Sequence, residues 1–418
     1  HYYFSVMLRL GASRVCRPTS LRFVVGREYC LARPKSWKVL FFGTDEVSVA
    51  VLKAMYAHPS LISDISVVCP PDGNNKCQVK RFAETKQLDI YQPTSNELAQ
   101  FSLPKTKNGD AFDIAVVASY GNLIPQHIIK TLPYKSINMH PSCLPFYKGP
   151  APLIRQIECG DRIGGMSIIE LHPQKFDLGN VFLQWVFNIP FDITCKEFEE
   201  GAANHGAHAV IQVLDKYGEY SEKLSPQASA TDPIIVREEI PQLEADQKVI
   251  FNESATSKLP SLPKGTTIQA DEMISEKRPT YARILKSTDG NIDWKSFTAL
   301  QVYNKWRAFS RKPGLFTFMT WPPNSETVQR VKLLSLEPPT NEENNDPTMN
   351  HVPGEVSFTK GDKFLSIQTA EGKRILCSSI QVQGKKPKDP EGFFNGYLSS
   401  FPHKKTVFHS TTVGHNKE

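Results

Sequence analysis

Short apolar runs alternate with stretches of helical spacing along the first half of this chain. The run Val39, Leu40, Phe41, Phe42 stops at Gly43, Thr44 and Asp45, the pattern of a buried strand ending in a tight turn. Val47, Ala50, Val51, Ala54 and Met55 then recur at i, i+3 and i+4, which predicts an amphipathic helix with Thr44 or Asp45 as its N-cap. A second strand is predicted at 65–69, running into a loop that carries Lys76, Lys80 and Arg81, and a short third at 89–91. Residues 114–118, Ile-Ala-Val-Val-Ala, are apolar without alternation, as a central parallel strand covered on both faces requires. Further strands are predicted at 136–140, 165–171 and 181–189, with helices starting near Ile124, at 152–159 and at 196–217. This alternation over 37–225 is the signature of one α/β domain, a doubly wound, mostly parallel sheet of Rossmann-like type. The first turn holds a single glycine instead of Gly-x-Gly-x-x-Gly, so a bound dinucleotide is not indicated.

The rhythm changes twice after residue 225. From 226 to 279 periodicity weakens and Pro, Ser, Thr and acidic residues dominate, with Glu238, Glu239, Glu244 and Asp246 clustered; this reads as a linker or insertion with little core. Over 280–403, a helix beginning at Asp293-Trp294 and carrying Leu300, Tyr303, Trp306 and Phe309 precedes short strand candidates at 331–336, 355–358, 364–368 and 374–377. Several short strands between turns suggest a small, OB-like β-barrel. A basic tail at 404–418 follows.

Composition narrows the class. At 418 residues the chain exceeds one ordinary core. Its 40% hydrophobic and 22% charged residues and net charge of +6 are those of a mildly basic globular protein, compatible with a polyanionic partner without requiring one. Eight cysteines without a Cys-x-x-Cys pair make neither a zinc spacing nor a disulfide framework. No run approaches a membrane span. Between Met7 and Arg27 there is no acid, and five arginines stand among Leu, Val, Ser and Thr. Residues 1–36 therefore read as a mitochondrial transit segment, with the matrix as the expected location.

Candidate chemistry concentrates at 136–152. Asn138 and His140 alternate, so both side chains leave one face of a strand, and prolines at 141, 145, 150 and 152 forbid a regular continuation. An amide donor beside an imidazole suits chemistry on a carbonyl, the amide stabilising an oxyanion and the imidazole moving a proton. The same pair can also serve only local hydrogen bonds. Asp177, in a turn before Gly179, is the third candidate, although Asp and Gly fill turns everywhere.

In combination these pieces carry a resemblance. Asn138-x-His140-Pro-Ser142-x-Leu144-Pro145, then Lys148-Gly149, Gly164-Gly165-Met166-Ser167 and Asp177-x-Gly179 resemble the folate-dependent formyltransferases in order and spacing. Pro150-Ala151-Pro152, the segment at 116–121, Tyr281-Ala282-Arg283-Ile284 and Ile292-Asp293-Trp294 are similar to the branch that formylates methionyl-tRNA. One segment departs: that branch usually has Arg-Trp-Arg-Gly where this chain has Phe146-Tyr147-Lys148-Gly149.

The resemblance implies an enzyme with 10-formyltetrahydrofolate as donor and initiator methionyl-tRNA as partner, no metal, no membrane association and a monomer. It implies that Asn138 donates to the oxyanion, that His140 acts as imidazolium, and that Asp177 orients the histidine and helps deprotonate the amine. Ser142, Cys143, Leu144 and Pro145 would form a wall for the folate, and backbone near 117–120 would line the pterin pocket. Lys76, Lys80, Arg81 and the basic residues of the second domain are the RNA-binding candidates; residues 280–418 hold 19 Lys and Arg against 13 Asp and Glu. A formyltransferase, hydrolase or dehydrogenase relative acting on a small metabolite, and an RNA-binding protein with an inactive first domain, are the competing readings.

Overall fold

The computed structural model describes residues 33–73, 77–228, 234–235, 238–241, 259, 261–268, 281–339 and 352–410. Most of the predicted transit segment, Lys76 and most of 226–279 lie outside the described residues. The first sheet has seven strands: β1 (Trp37–Gly43), β2 (Ile62–Val68), β3 (Asp89–Tyr91), β4 (Ile114–Ala118), β5 (Ile137–His140), β6 (Ile163–Glu170) and β7 (Val181–Asn188). Their order is β3-β2-β1-β4-β5-β6-β7. The pairs from β3 to β5 are parallel, and β6 and β7 extend the sheet antiparallel. The strand order reverses between β1 and β4, and in such sheets the crevice beyond the carboxyl ends receives the ligand.

Helices α1 (Glu46–Tyr56), α2 (Gln78–Thr85), α3 (Ser95–Leu98), α4 (Gln126–Thr131), α5 (Pro152–Cys159), α6 (Cys195–Asp215) and α7 (Tyr217–Glu222) accompany this sheet. Strand β1 shows why the run at its centre has no polar alternation. Val39 and Phe41 enter a core shared with residues of α1 and α6, whereas Leu40 and Phe42 enter a second core with Leu98, Phe112, Ile124 and Ile128. Each fully buried side chain of this kind contributes ~1.5–3 kcal/mol. Asp45 caps α1: its carboxylate accepts from Ser48 N at 3.0 Å, and the Ser48 hydroxyl accepts from Asp45 N at 2.9 Å.

Two short strands, β8 (Ile234–Ile235) and β9 (Thr267–Ile268), pair antiparallel within the segment expected to be a linker. Other parts of that segment pack on the first domain. Leu259 and Ile268 are buried, Ser225 exchanges backbone hydrogen bonds with Val181, and Ser261 bridges to Phe187. Where this segment is described, single apolar residues, Leu259 and Ile268, join cores built by the rest of the chain.

The second sheet comprises β10 (Phe316–Thr320), β11 (Val328–Leu336), β12 (Glu355–Ser357), β13 (Leu365–Gln368), β14 (Arg374–Val382) and β15 (Thr406–Val407), in the order β10-β11-β14-β13-β12-β15. His409, just past β15, exchanges backbone hydrogen bonds with Phe318 of β10 and nearly closes the sheet into a barrel. Trp294, Val331, Leu333, Val356, Ile367 and Ile380 fill its interior.

Helix α8 runs from Ala299 to Phe309, capped by Thr298, and does not begin at Asp293. Asp293 instead accepts from Lys295 N and Ser296 Oγ in a turn, and the Trp294 indole donates to Thr317 Oγ1 at 2.9 Å. Leu300 is consequently on an exposed face. Lys80 and Arg81 stand on α2, not in a loop. Helix α9 (Pro390–Gly396) and strand β10 had no sequence expectation. Among the described residues no helix is long and apolar enough to cross a membrane.

Helix α8 joins the two domains. Val302 and Tyr303 belong to the barrel core, while Ala308 and Phe309 belong to the core of the first domain. Beside it, the Arg155 guanidinium of α5 pairs with Asp289 at 2.6 Å and with Glu158 at 2.5 Å, and Arg283 reaches Asp289 at 2.7 Å. Burial alone would raise the Asp289 carboxyl; hydrogen bonds from Arg283, the Lys286 N–H and Arg155 outweigh it and hold the group at about 2. Because that value is depressed, the contribution to stability is complete above the ordinary carboxylate range and is lost as pH falls towards 2. Replacing Asp289 by Asn leaves Arg155 buried with one partner fewer and is expected to cost ~3 kcal/mol at neutral pH. Denaturant unfolding checks this, and the difference between the two proteins should shrink in acid.

Candidate active site

Asn138 and His140 lie in β5 at the carboxyl edge of the sheet. Asn138 sits between Val117 of β4 and Ile169 of β6, and His140 opposite Ser167. Met139 between them points the other way into the core, where Gly206 of α6 leaves room for its sulfur. Alternation along the strand thus presents the amide and the imidazole to one cleft.

Asp177 reaches the same place from the turn between β6 and β7. Its backbone is left-handed, with φ of 53°, a conformation that Asp tolerates better than most residues. Its side chain is nearly excluded from solvent and surrounded by donors. Gly149 N donates to Oδ2 at 2.8 Å, Asn138 Nδ2 donates to Oδ1 at 3.4 Å, and His140 Nδ1 stands 3.4 Å from Oδ1. The Gln227 amide donates to the carbonyls of Asp177 and Gly179 at 2.8 and 3.1 Å. Gly179 is required because a Cβ there would fall 1.7 Å from the Glu170 carbonyl oxygen.

The other ring nitrogen of His140, Nε2, lies 2.9 Å from the Tyr147 carbonyl. Both nitrogens therefore face oxygen acceptors, an environment in which the imidazolium can donate from each. Tyr147 has φ of 56° and Gly149 has φ of 102°. The Tyr147 ring is buried, and its hydroxyl donates to Asp161 at 2.8 Å; burial first, then the neighbouring carboxylate, pushes this phenol far up, so it remains a donor. The unusual loop is thus inward-facing: Phe146 and Tyr147 join a small core with Cys143, Val186, Ile268 and Ala282.

The chain leading into the barrel clamps this loop. Ala282 N donates to the Lys148 carbonyl at 2.6 Å and Ala151 N donates to the Ala282 carbonyl at 3.3 Å. The Tyr281 ring lies against Gly149, where a Cβ would meet it at 2.7 Å.

Two cavities meet here. One, of about 590 Å³, is lined by Asn138, His140 and Asp177, by the backbone segment from Ser119 to Ile124, and by Val117, Ile169 and Leu171. The other, of about 580 Å³, is lined by α1 and α6 and carries Asp45, Glu46, Glu199 and Glu200 with Lys196. Asp45, Ser119, Pro141, Pro150, Pro152 and Ile284 border both. Burial is the main cause that raises the Glu199 carboxyl, opposed by Arg311 at 3.3 Å.

The structure brings Asn138, His140 and Asp177 together and leaves Ser142, Cys143, Leu144 and Pro145 behind them. That segment is buried and borders neither cavity. Leu144 N donates to Ser167 Oγ, the Ser167 hydroxyl donates to the Ser142 carbonyl, and Gln184 donates to the Leu144 carbonyl. Its place is beneath the site, as its support. The roles of Gln227, of Tyr147 and of the Tyr281–Ala282 segment that bridges to Lys148 were missed. Lys-Gly before a Pro-rich run signalled Gly149; nothing in the sequence around Gln227 signalled its role.

The fold and site together define a two-domain α/β protein with an Asn, His and Asp cluster where two cavities adjoin. Residues 37–214 match the formyl transferase family model and residues 284–398 match the C-terminal domain of formyl transferases. The chain belongs to the formyl transferase family. It is 28% identical to the mitochondrial methionyl-tRNA formyltransferase of Homo sapiens over 371 residues, covering 87% of this chain and 78% of that one. It is 25% identical to the methionyl-tRNA formyltransferase of Rickettsia bellii, over 86% of this chain and 97% of that one. Among solved structures, an N-formyltransferase from Helicobacter canadensis aligns with a TM-score of 0.47 and 15% identity, over 82% of this chain and 98% of that one.

Replacing Gly179 by Ala should displace Asp177, because the new methyl meets backbone. A loss of ~1–3 kcal/mol in thermal or chemical unfolding is expected from such overpacking.

Proposed function

We propose that this chain transfers the formyl group of 10-formyltetrahydrofolate to the α-amine of methionyl-tRNA, making formylmethionyl-tRNA for translation initiation. The observation that carries the reading is the cluster of Asn138, His140 and Asp177 at the junction of two cavities of similar size, as transfer between two substrates requires. The cleft bounded by residues 117–124 fits the donor: it pairs apolar walls from Val117, Ile124 and Leu171 with a run of backbone along one side, as a flat heterocycle with a hydrogen-bonding edge needs. When bound, the folate supplies a formyl group on a nitrogen that can leave. The acidic lining of the second cavity suits an incoming ammonium group. The methionyl-tRNA relatives and the presence of both family domains support an aminoacyl-tRNA as the acceptor.

In this mechanism, Asn138 donates its amide to the formyl oxygen, with its donor already oriented by Asp177. The amine nitrogen bonds to the formyl carbon and negative charge collects on that oxygen, where His140 as imidazolium stabilises it. Asp177 orients the ring through Nδ1 and takes a proton released by the amine. His140 then hands a proton to the departing nitrogen as the carbon–nitrogen bond to the donor breaks.

The RNA reading rests on exposed lysines of the barrel, chiefly Lys385 and Lys386 beyond β14. Lys80 is already paired with Asp72. A mitochondrial location is supported by the arginine-rich, acid-free stretch from 7 to 27 and by the mitochondrial relatives.

The deciding experiment supplies 10-formyltetrahydrofolate together with charged initiator tRNA, or with glycinamide ribonucleotide. Formylation of the tRNA is expected; formylation of the small amine alone would refute the proposal. Asn138→Ala should lower kcat roughly 100- to 1000-fold, the usual cost of one oxyanion donor. His140→Ala should reduce kcat at least as much while folate binding, followed by fluorescence, stays close to wild type.

A further inference from the structure

We infer that Tyr147 and Asp161 form a positioning device for His140, acting through the backbone and touching neither substrate. This rests on the reading of His140 as a proton-handling residue given above. A carbonyl oxygen can hold a ring nitrogen only where the backbone directs it. The carbonyl that meets His140 Nε2 at 2.9 Å belongs to a residue with φ of 56°. A tyrosine in the left-handed region reverts to an ordinary conformation unless its surroundings prevent it.

Its side chain supplies that restraint. The ring is 1% exposed, and the hydroxyl ends on a carboxylate oxygen of Asp161, itself 1% exposed, at 2.8 Å. Asp161 follows Gly160, the left-handed cap of α5, and its N–H donates to the Gln156 carbonyl at 3.0 Å. The Gln156 amide in turn donates to the carbonyl of Pro141 at 3.0 Å and to that of Pro152 at 3.1 Å. Pro141 is the residue next to His140. The path His140, Tyr147, Asp161, Gln156, Pro141 therefore closes on itself, and the imidazole is gripped from its ring and from its backbone by one circuit. Tyr147, Asp161 and Gln156 are each 1% exposed, so water does not replace a missing member at that end of the circuit. No other part of the cleft gives His140 Nε2 a protein acceptor among the described residues.

The test reads the histidine directly, in the full chain and without substrate. The Nε2–H of His140, bonded to a buried carbonyl, gives a proton resonance protected from exchange with water, assigned by its loss in His140→Asn. In Tyr147→Phe, which removes one hydroxyl, that proton should exchange at least about tenfold faster. In the formyl-transfer assay kcat should fall about ten- to a hundredfold, with KM for either substrate changed less than about twofold, as expected when a reacting group is misplaced. Tyr147→Trp, whose indole N–H is a donor, and Asp161→Asn, whose amide oxygen still accepts, should each recover most of the protection and of kcat. Asp161→Ala should resemble Tyr147→Phe. Unchanged exchange in a folded Tyr147→Phe overturns the inference, as does a loss of kcat with exchange unchanged. Failure of the wild-type chain to formylate any tRNA would strike the functional reading alone, since the exchange measurement needs no substrate.

Discussion

The Asp177 carboxyl, almost removed from water, is encircled by donors, and the candidate site is that ring. The Gly149 N–H, the Asn138 amide and the His140 imidazole converge on its two oxygens, and Gln227 fixes the backbone behind it. These donors come from a strand, a Pro-rich loop and a segment far along the chain. The donors that meet its two oxygens offset the burial of the carboxyl group, which without partners would cost several kcal/mol. Sheet and loop thus meet at one carboxylate.

This convergence explains why the loop at 146–151 is held so heavily. A donated N–H at Gly149 and an accepting carbonyl at Tyr147 are two residues apart and point at two members of the cluster. Both residues adopt positive φ, a conformation the loop would not keep by itself. The small core beneath it, the bonds from Ala151 and Ala282, and the Arg155, Asp289 and Arg283 cluster supply the missing restraint. Phe146 and Tyr147 of this loop are therefore part of the interior, with Lys148 and Gly149 partly open.

Much of this was legible in the residues themselves. The unbroken apolar runs at 39–42 and 114–118 marked central strands because both faces of the sheet are covered, and Asn138 and His140 were placed together by strand alternation alone. Asp177 needed the order of motifs along the chain, since its own turn is ordinary. Helix α2 escaped because its sequence is mostly polar, with Val79 and Ala83 as its buried contacts. The start of α8 was misread because Trp294 continues the apolar spacing of the helix while belonging to a turn inside the barrel. The roles of Tyr147 and Ala282 were beyond any pattern reading: they act through carbonyl and amide groups that every residue possesses. Gln227 lies in a stretch without periodicity and acts by a single reach of its side chain.

Helix α8 gives its early turns, Val302 and Tyr303, to one core and its last turn, Ala308 and Phe309, to another, and geometry follows from that. An 11-residue helix is a rod of about 16 Å, packed on β11 and β14 of the barrel and ending beside Arg155. The same helix thus links the cleft-bearing domain to the barrel. Where α8 holds the two domains at one spacing, a long partner meets both only if its own span equals the gap between them. Length and stiffness of the partner then become readable quantities, measured without a single contact to its bases.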